Sequence, residues 1–450
     1  MTALASLQAC SSPLKTDGLP DQPGIRISDR TPIIAAPNGP AFYIDCAAGN
    51  DNASGTSSGN AWKTMRKANA AKLKPGESLL FKRGCTFQGP LNATWRGTAT
   101  APVFIGAYGD GNEATIRNGS PAVISILGTN QVIDGLEVAA DQPGPYRGAR
   151  KCQSTANGWQ AGVEFGGSSA NNTLQRSKIS GFTAGVHFAG GSRNHAIANT
   201  IFNNTVMSQN TAESYDDDSG AWGVLLNADN NEVAFNTFSG NSACSEDYGI
   251  DGASVEVFQA SSNLVHHNVS INDSTFTELG GSPDRPSQNN SFAFNIYAPI
   301  KNGGELLNLR GRQSKWGGNP GTKFYNNTAY MVSIGITCSD GCDPSILSAR
   351  NNIIWSRDNT DKSALWATGP FDEGNNVFWR NDGRPSVVVQ GGRLATSSKV
   401  VNPKFVDVSK LDFRLSPDSP ALNAGAYAKG DANTANGIQG LETDELLQTP

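Results

Sequence analysis

Apolar and polar positions alternate in short runs along most of this chain, and one run recurs. "NHAIANTIF" (194–202), "NEVAFNTFSG" (231–240), "NLVHHNVSI" (263–271) and "NSFAFNIYA" (290–298) each place alternating apolar residues around a central Asn. "KFYNNTAYM" and "ARNNIIWS" continue the series. The central residues Asn199, Asn236, Asn268 and Asn295 are 37, 32 and 27 residues apart. A constant unit with connectors of varying length is the signature of a solenoid. Strands of successive units would stack in parallel about 4.8 Å apart, with apolar side chains inward. The four Asn would then form an internal ladder, each amide bonding the next, which is a structural and not a catalytic role. Earlier runs, among them "PVFIGAYG", "VISILGTNQVIDGLEV" and "NNTLQRSKISGF", extend the pattern toward the N-terminus.

The pattern changes at both ends. Residues 1–40 read as a polar tether and 428–450 as a polar tail, leaving 41–427 as one domain. That domain opens with a strand, Phe42–Asp45, and a helix-like stretch. Trp62, Met65, Asn69 and Leu73 share one face of that stretch, and Pro75-Gly76 stops it. An open solenoid end must be covered, and a short amphipathic helix is a natural plug.

The order "AFYIDCAAGND…AWKTMRKANAAKLKPGESLLFKRGCTF" resembles the N-terminal cap of extracellular right-handed parallel β-helix proteins of the pectate-lyase-like superfamily. "NPKFVDVSKLDFRLSPDSPALNAGA" resembles their closing segment. The resemblance covers about residues 41–427 and implies an all-β, single-stranded right-handed parallel β-helix with an N-terminal capping helix. It leaves activity open, because the superfamily holds lyases, hydrolases, epimerases and binding proteins.

Composition narrows the field. Charged residues make up only 17% and the net charge is -5, which disfavours a nucleic-acid partner that would need a basic face. The 50 Gly, with many Asn, suit tight corners. No apolar run reaches the ~20 residues of a membrane span. Leu7-Gln8-Ala9-Cys10 resembles a bacterial lipobox, which implies a lipid anchor at Cys10 and a secreted or cell-envelope lipoprotein of a bacterium. Without Cys10, six Cys remain and no CxxC occurs, which fits disulfides in an exported protein. Spacing suggests Cys338–Cys342 and Cys46–Cys85, leaving Cys152–Cys244, out of fifteen pairings.

Candidate chemistry lies in the departures from the repeat, between 207 and 316. One acidic set is Asp216, Asp217 and Asp218, followed one unit later by Glu246, Asp247 and Asp251. Clustered oxygen ligands on loops suit calcium, and a solvated acidic corner is the plain alternative. "YDDDSG" and "EDYGID" look like the acidic corners of calcium-dependent β-helix lyases, where the metal neutralises a uronate. That implies calcium at Asp216, Asp217, Asp218, Asp247 and Asp251.

A second set is Glu256, Glu278 and Glu305 with Arg310, on three successive units. Glu256 lies between Val255 and Val257, so it should point outward. Carboxylates on neighbouring strands would stand about 5 Å apart, and next-but-one about 10 Å. The closer spacing pushes two pKa values apart, and the wider suits an inverting hydrolase. A surface ion pair between one Glu and Arg310 is the alternative.

A third set is basic and aromatic: Arg310, Arg312, Lys315 and Trp316, with His266 and His267 one or two units earlier. A uronate polymer needs cations and an aromatic platform, and β-elimination needs a base. One His of the pair is expected inside as a packed residue.

The leading expectation is a calcium-dependent lyase of a uronic-acid-containing, acidic extracellular polysaccharide. Lys315, Arg310 or His266 would serve as base, with Arg312, Trp316, His267 and Glu305 binding substrate. The first rival is a glycoside hydrolase using Glu256 and Glu278, or the Asp216–Asp218 group. The second is a non-catalytic polysaccharide-binding protein.

Overall fold

The computed structural model describes residues 33–140, 158–211, 216–301, 303–358, 363–390 and 392–422. Three long parallel sheets run side by side, one strand of each per turn of the chain, in a right-handed parallel β-helix. Sheet 1 has 12 strands, from Ala41–Ile44 to Asp372–Gly374. Sheet 2 has 12, from Thr86–Gln88 to Lys399–Val400. Sheet 3 has 11, from Leu91–Ala93 to Val387–Val389. Their inward side chains form one continuous core, in which Phe165 stacks on Phe188 at 4.6 Å.

The corners are held by amide ladders. The expected one runs between sheets 1 and 2: Asn199 donates its N–H to the Oδ1 of Asn236, Asn236 to Asn268, and Asn268 to Asn295. It continues through Asn327, Asn352 and Asn376. Two more ladders accompany it, and the first of them uses the Asn that opens each copy of the repeat. Asn172, Asn194, Asn231, Asn263 and Asn290 precede sheet 1. Asn204, Asn241 and Asp273 join sheet 2 to sheet 3. Each amide satisfies backbone groups that a sharp corner would leave unpaired in the core.

The N-terminal helix is shorter than its pattern suggests, Met65–Ala70, with Thr64 as its N-cap. The chain is extended again at Ala71, before Pro75-Gly76. Trp62, Met65 and Leu73 are buried in the core, as a plug requires. Asn69 instead holds the strand Leu91–Ala93 through the Pro90 carbonyl and the Asn92 N–H. At the other end the segment read as closing the chain does something different. Its hairpin, Phe405–Asp407 with Asp412–Leu415, lays Leu411 and Phe413 against Val269, Ile271, Ile296 and Ala298 on the outside of sheet 2.

Cys46–Cys85 and Cys338–Cys342 are disulfides, as the spacing suggests. Cys244 is disulfide-bonded too, while Cys152 lies outside the described residues, as do Cys10 and the C-terminal tail. No helix among the described residues is long and apolar enough to cross a membrane.

Candidate active site

Sheet 3 carries the site on its outer face. In strands Ala253–Phe258, Thr275–Gly280 and Glu305–Arg310, residues Val255, Val257, Leu279, Leu307 and Leu309 are fully buried. Their neighbours must therefore face out. The register pairs Glu256 with Glu278 and Glu278 with Asn308. In the other direction Glu256 follows Leu225, and Leu225 follows His187. A pocket of about 1020 Å³ lies over this column. Its walls are the segment 216–219, Tyr248 and Ile250 of the hairpin that joins Ala243–Ser245 to Gly249–Asp251, and Trp316 from a later turn.

Three carboxyl groups converge on its floor. Asp251 accepts the N–H of Gly252 at 2.7 Å, and burial, reinforced by Glu278, pushes its pKa up to about 7. Burial also drives Glu256 well above the usual carboxylate range, with Glu278 and Asp251 adding to it and Arg310 opposing. Taking an ionised carboxylate out of water beside other carboxylates favours the proton. Glu278 is the member with a cation: Arg310 donates to its Oε1 at 2.5 Å and to the Leu279 carbonyl at 2.7 Å. The expected neighbouring carboxylates and the expected Glu–Arg ion pair are thus parts of one arrangement. Glu305 lines the same pocket one strand further on.

The five carboxylates grouped for calcium separate. Asp217, Asp218 and Asp247 lie within reach of a common ion. Asp218 accepts from Thr211 N–H, Ser245 O–H and Asp247 N–H, and Asp247 accepts from the N–H groups of Asp217 and Asp218. The trio therefore staples two loops together. Asp217 Oδ1 is buried without a hydrogen-bond partner, and the all-oxygen donor set fits a hard cation. Asp216 turns away to Lys315 and Tyr248, and Asp251 belongs to the pocket floor.

The basic set separates as well. Arg310 and Trp316 line the pocket. Lys315 is ion-paired with Asp216 at 2.6 Å, and Arg312 reaches Ser345 and Asp343 away from it. His266 ends a strand of sheet 1, His267 is the corner residue after it, and neither lines the pocket. His266 is 1% exposed and bonds Glu232 at 2.8 Å and His267 at 2.7 Å. His267 is stacked between Phe235 and Phe294, both at 4.9 Å, and burial pushes its pKa down to about 3. The reading of one His as a packed residue applies to both.

Sequence reasoning missed one end of the pocket. There His187 bonds Glu164 at 3.1 Å and Asn227 at 2.9 Å, and Trp159 meets it edge-on and lies beside Trp222. A signal existed: "AGVEF" and "AGVHF" put Glu164 and His187 at the same outward position 23 residues apart.

The chain matches no protein-family model. Its fold, a right-handed parallel β-helix, is shared with several solved structures. Among solved structures it is similar to pectate lyase Pel9A, with a TM-score of 0.56 and 18% identity over 87% of this chain and 92% of that one. It is also similar to the GH136 lacto-N-biosidase of Eubacterium ramulus, with a TM-score of 0.55 and 15% identity over 80% of this chain and 67% of that one. In sequence, 93 residues are 37% identical to a lacto-N-biosidase of Bifidobacterium longum. That stretch is 20% of this chain and only 5% of the length of that protein.

Proposed function

We propose that the protein is an exported glycoside hydrolase acting on a neutral extracellular glycan. The observation that carries this is the group Asp251, Glu256 and Glu278 on the floor of an aromatic-flanked pocket, with Asp251 pushed up to about 7. A general acid works best with a pKa near the working pH, and two carboxyls in unlike environments divide the acid and base roles. Asp251 gives its proton to the glycosidic oxygen as the bond to the anomeric carbon breaks. Glu278, held by Arg310, bonds to that carbon as the leaving group departs, and water then displaces the Glu278 carboxylate from the carbon while giving its other proton back to Asp251. Glu256, in register beside Glu278, is a neutral hydrogen-bonding group. The disulfides and the similarity to the two lacto-N-biosidases support the export and the reaction class.

Charge supports a neutral substrate. With Asp251 and Glu256 protonated, Asp217, Asp218, Glu278 and Glu305 still line the pocket, against one guanidinium, that of Arg310, already engaged by Glu278. A polyanion entering this field is repelled. The lyase reading keeps one supporting observation, the trio Asp217, Asp218 and Asp247. Calcium held there would offset the charge of a substrate carboxylate.

The test is the activity of Asp251→Asn and Glu278→Gln with its pH profile. The acid must be protonated, so kcat/KM of the unaltered protein should fall about tenfold per pH unit above pH ~7. Each substitution should lower kcat/KM by at least ~100-fold. Full activity in both variants contradicts the assignment.

A further inference from the structure

An ion pair crosses the rim of this pocket between residues 99 positions apart in the chain. Lys315 Nζ bonds Asp216 Oδ2 at 2.6 Å, and Tyr248 O–H bonds Asp216 Oδ1 at 3.3 Å. The same ammonium lies 4.8 Å from the centre of the Trp316 ring. Asp216 thus ties together two aromatic side chains from different loops, and both line the pocket. An isolated pair this exposed would contribute little to stability. Tyr248 and Ile250, 47% and 50% exposed, keep apolar surface turned to the same space.

We propose that Asp216, Lys315, Tyr248 and Trp316 form a separate sugar-binding subsite at the pocket mouth, which takes a neutral pyranose ring adjoining the one cleaved. The chemistry is complementary. A carboxylate beside an ammonium offers an acceptor and donors to neighbouring hydroxyls. Aromatic rings offer apolar faces to the C–H side of a sugar. Asp216 acts here as a positioning residue that fixes Lys315 and both rings. The proposal rests on the glycoside hydrolase reading and deepens it by requiring a substrate longer than the bond being cut.

The test compares chain lengths. Full-length protein and the variants Asp216→Asn, Lys315→Met, Trp316→Ala and Lys315→Arg are assayed on neutral β-linked di- and tetrasaccharides of glucose, galactose and N-acetylglucosamine. The first three should lose about tenfold more kcat/KM on the tetrasaccharide than on the disaccharide. Lys315→Arg should recover part of that loss. The double variant Asp216→Asn/Lys315→Met should be no worse than the poorer single one, because the pair acts as a unit. Melting temperatures should match that of the unaltered protein. Equal losses on both lengths, or no loss on either, overturn the subsite while leaving the hydrolase reading intact. Failure of the unaltered protein to bind or cleave any of these sugars overturns both.

Discussion

Asp273 occupies the last described place in the third ladder, where Asn204 and Asn241 precede it. It is 1% exposed and accepts from Asn241, Ser254 and Ser270, yet burial pushes its pKa up to about 6. In the unfolded chain an aspartate releases its proton near pH ~3.9. Between these values the folded protein keeps a proton that the unfolded chain has lost, so stability falls as pH rises through this window. Asn would keep the acceptor toward Asn241 and donate to hydroxyls that can turn to accept. Asp273→Asn should therefore raise the unfolding free energy at pH ~8 by roughly 2–3 kcal/mol and flatten its change between pH ~4 and ~6. Denaturant unfolding at the two pH values measures this, and an unchanged slope contradicts it. None of this was legible in the sequence, where "NDSTF" looks like an ordinary polar corner. The carboxylates of the site were legible as residues but not as roles. Asp251 was grouped with Asp216–Asp218 as the acidic loop one unit on, whereas its pKa is raised by burial and then by Glu278, which lies on another strand.

At the scale of the element, strand parity was the reliable signal. It put Glu256 outside from the burial of Val255 and Val257, and the register supplied Glu278 beside it. It failed for the His pair because corners do not alternate. His267 is the corner residue, with φ 53°, and Phe235 and Phe294 hold the same left-handed place on adjacent turns. Their rings stack and bury one another, a stabilisation that no run of alternating residues reveals. The Asn ladder was legible because each copy carries its Asn at a fixed place in a fixed unit. Asn268 stands in the middle of it. Its oxygen accepts from Asn236 N–H and side-chain amide at 3.0 Å each, and its amide donates to Val233 and Asn295. Asn268→Ala should destabilise the protein by about 2–4 kcal/mol, since it orphans buried donors and acceptors rather than merely removing a contact. A change below ~1 kcal/mol by thermal or denaturant unfolding would show that the ladder is dispensable.

For the whole molecule, the solenoid was read from periodicity, its ends from a resemblance, and the loops as the place to look for function. The aromatic end of the pocket was missed because Trp159, His187 and Trp222 come from three successive turns, and only the matched outward positions of Glu164 and His187 hint at it in the chain. The balance of charge in the pocket was hidden for the same reason. Basic residues near 310–316 suggested a cationic trough for a uronate polymer, but Arg310 and Lys315 are each paired with a carboxylate that the sequence places far away. What remains is an acidic, aromatic-lined pocket over carboxyls able to donate and accept a proton. The most direct test incubates the full-length protein, in the presence of a chelator, with a panel of neutral and uronate-containing glycans, and reads new reducing ends and unsaturated uronate products in parallel. A glycoside hydrolase releases new reducing ends from a neutral glycan, gives no unsaturated product, and keeps its activity in the chelator. Unsaturated product released from a uronate polymer only when calcium is restored would contradict the hydrolase reading.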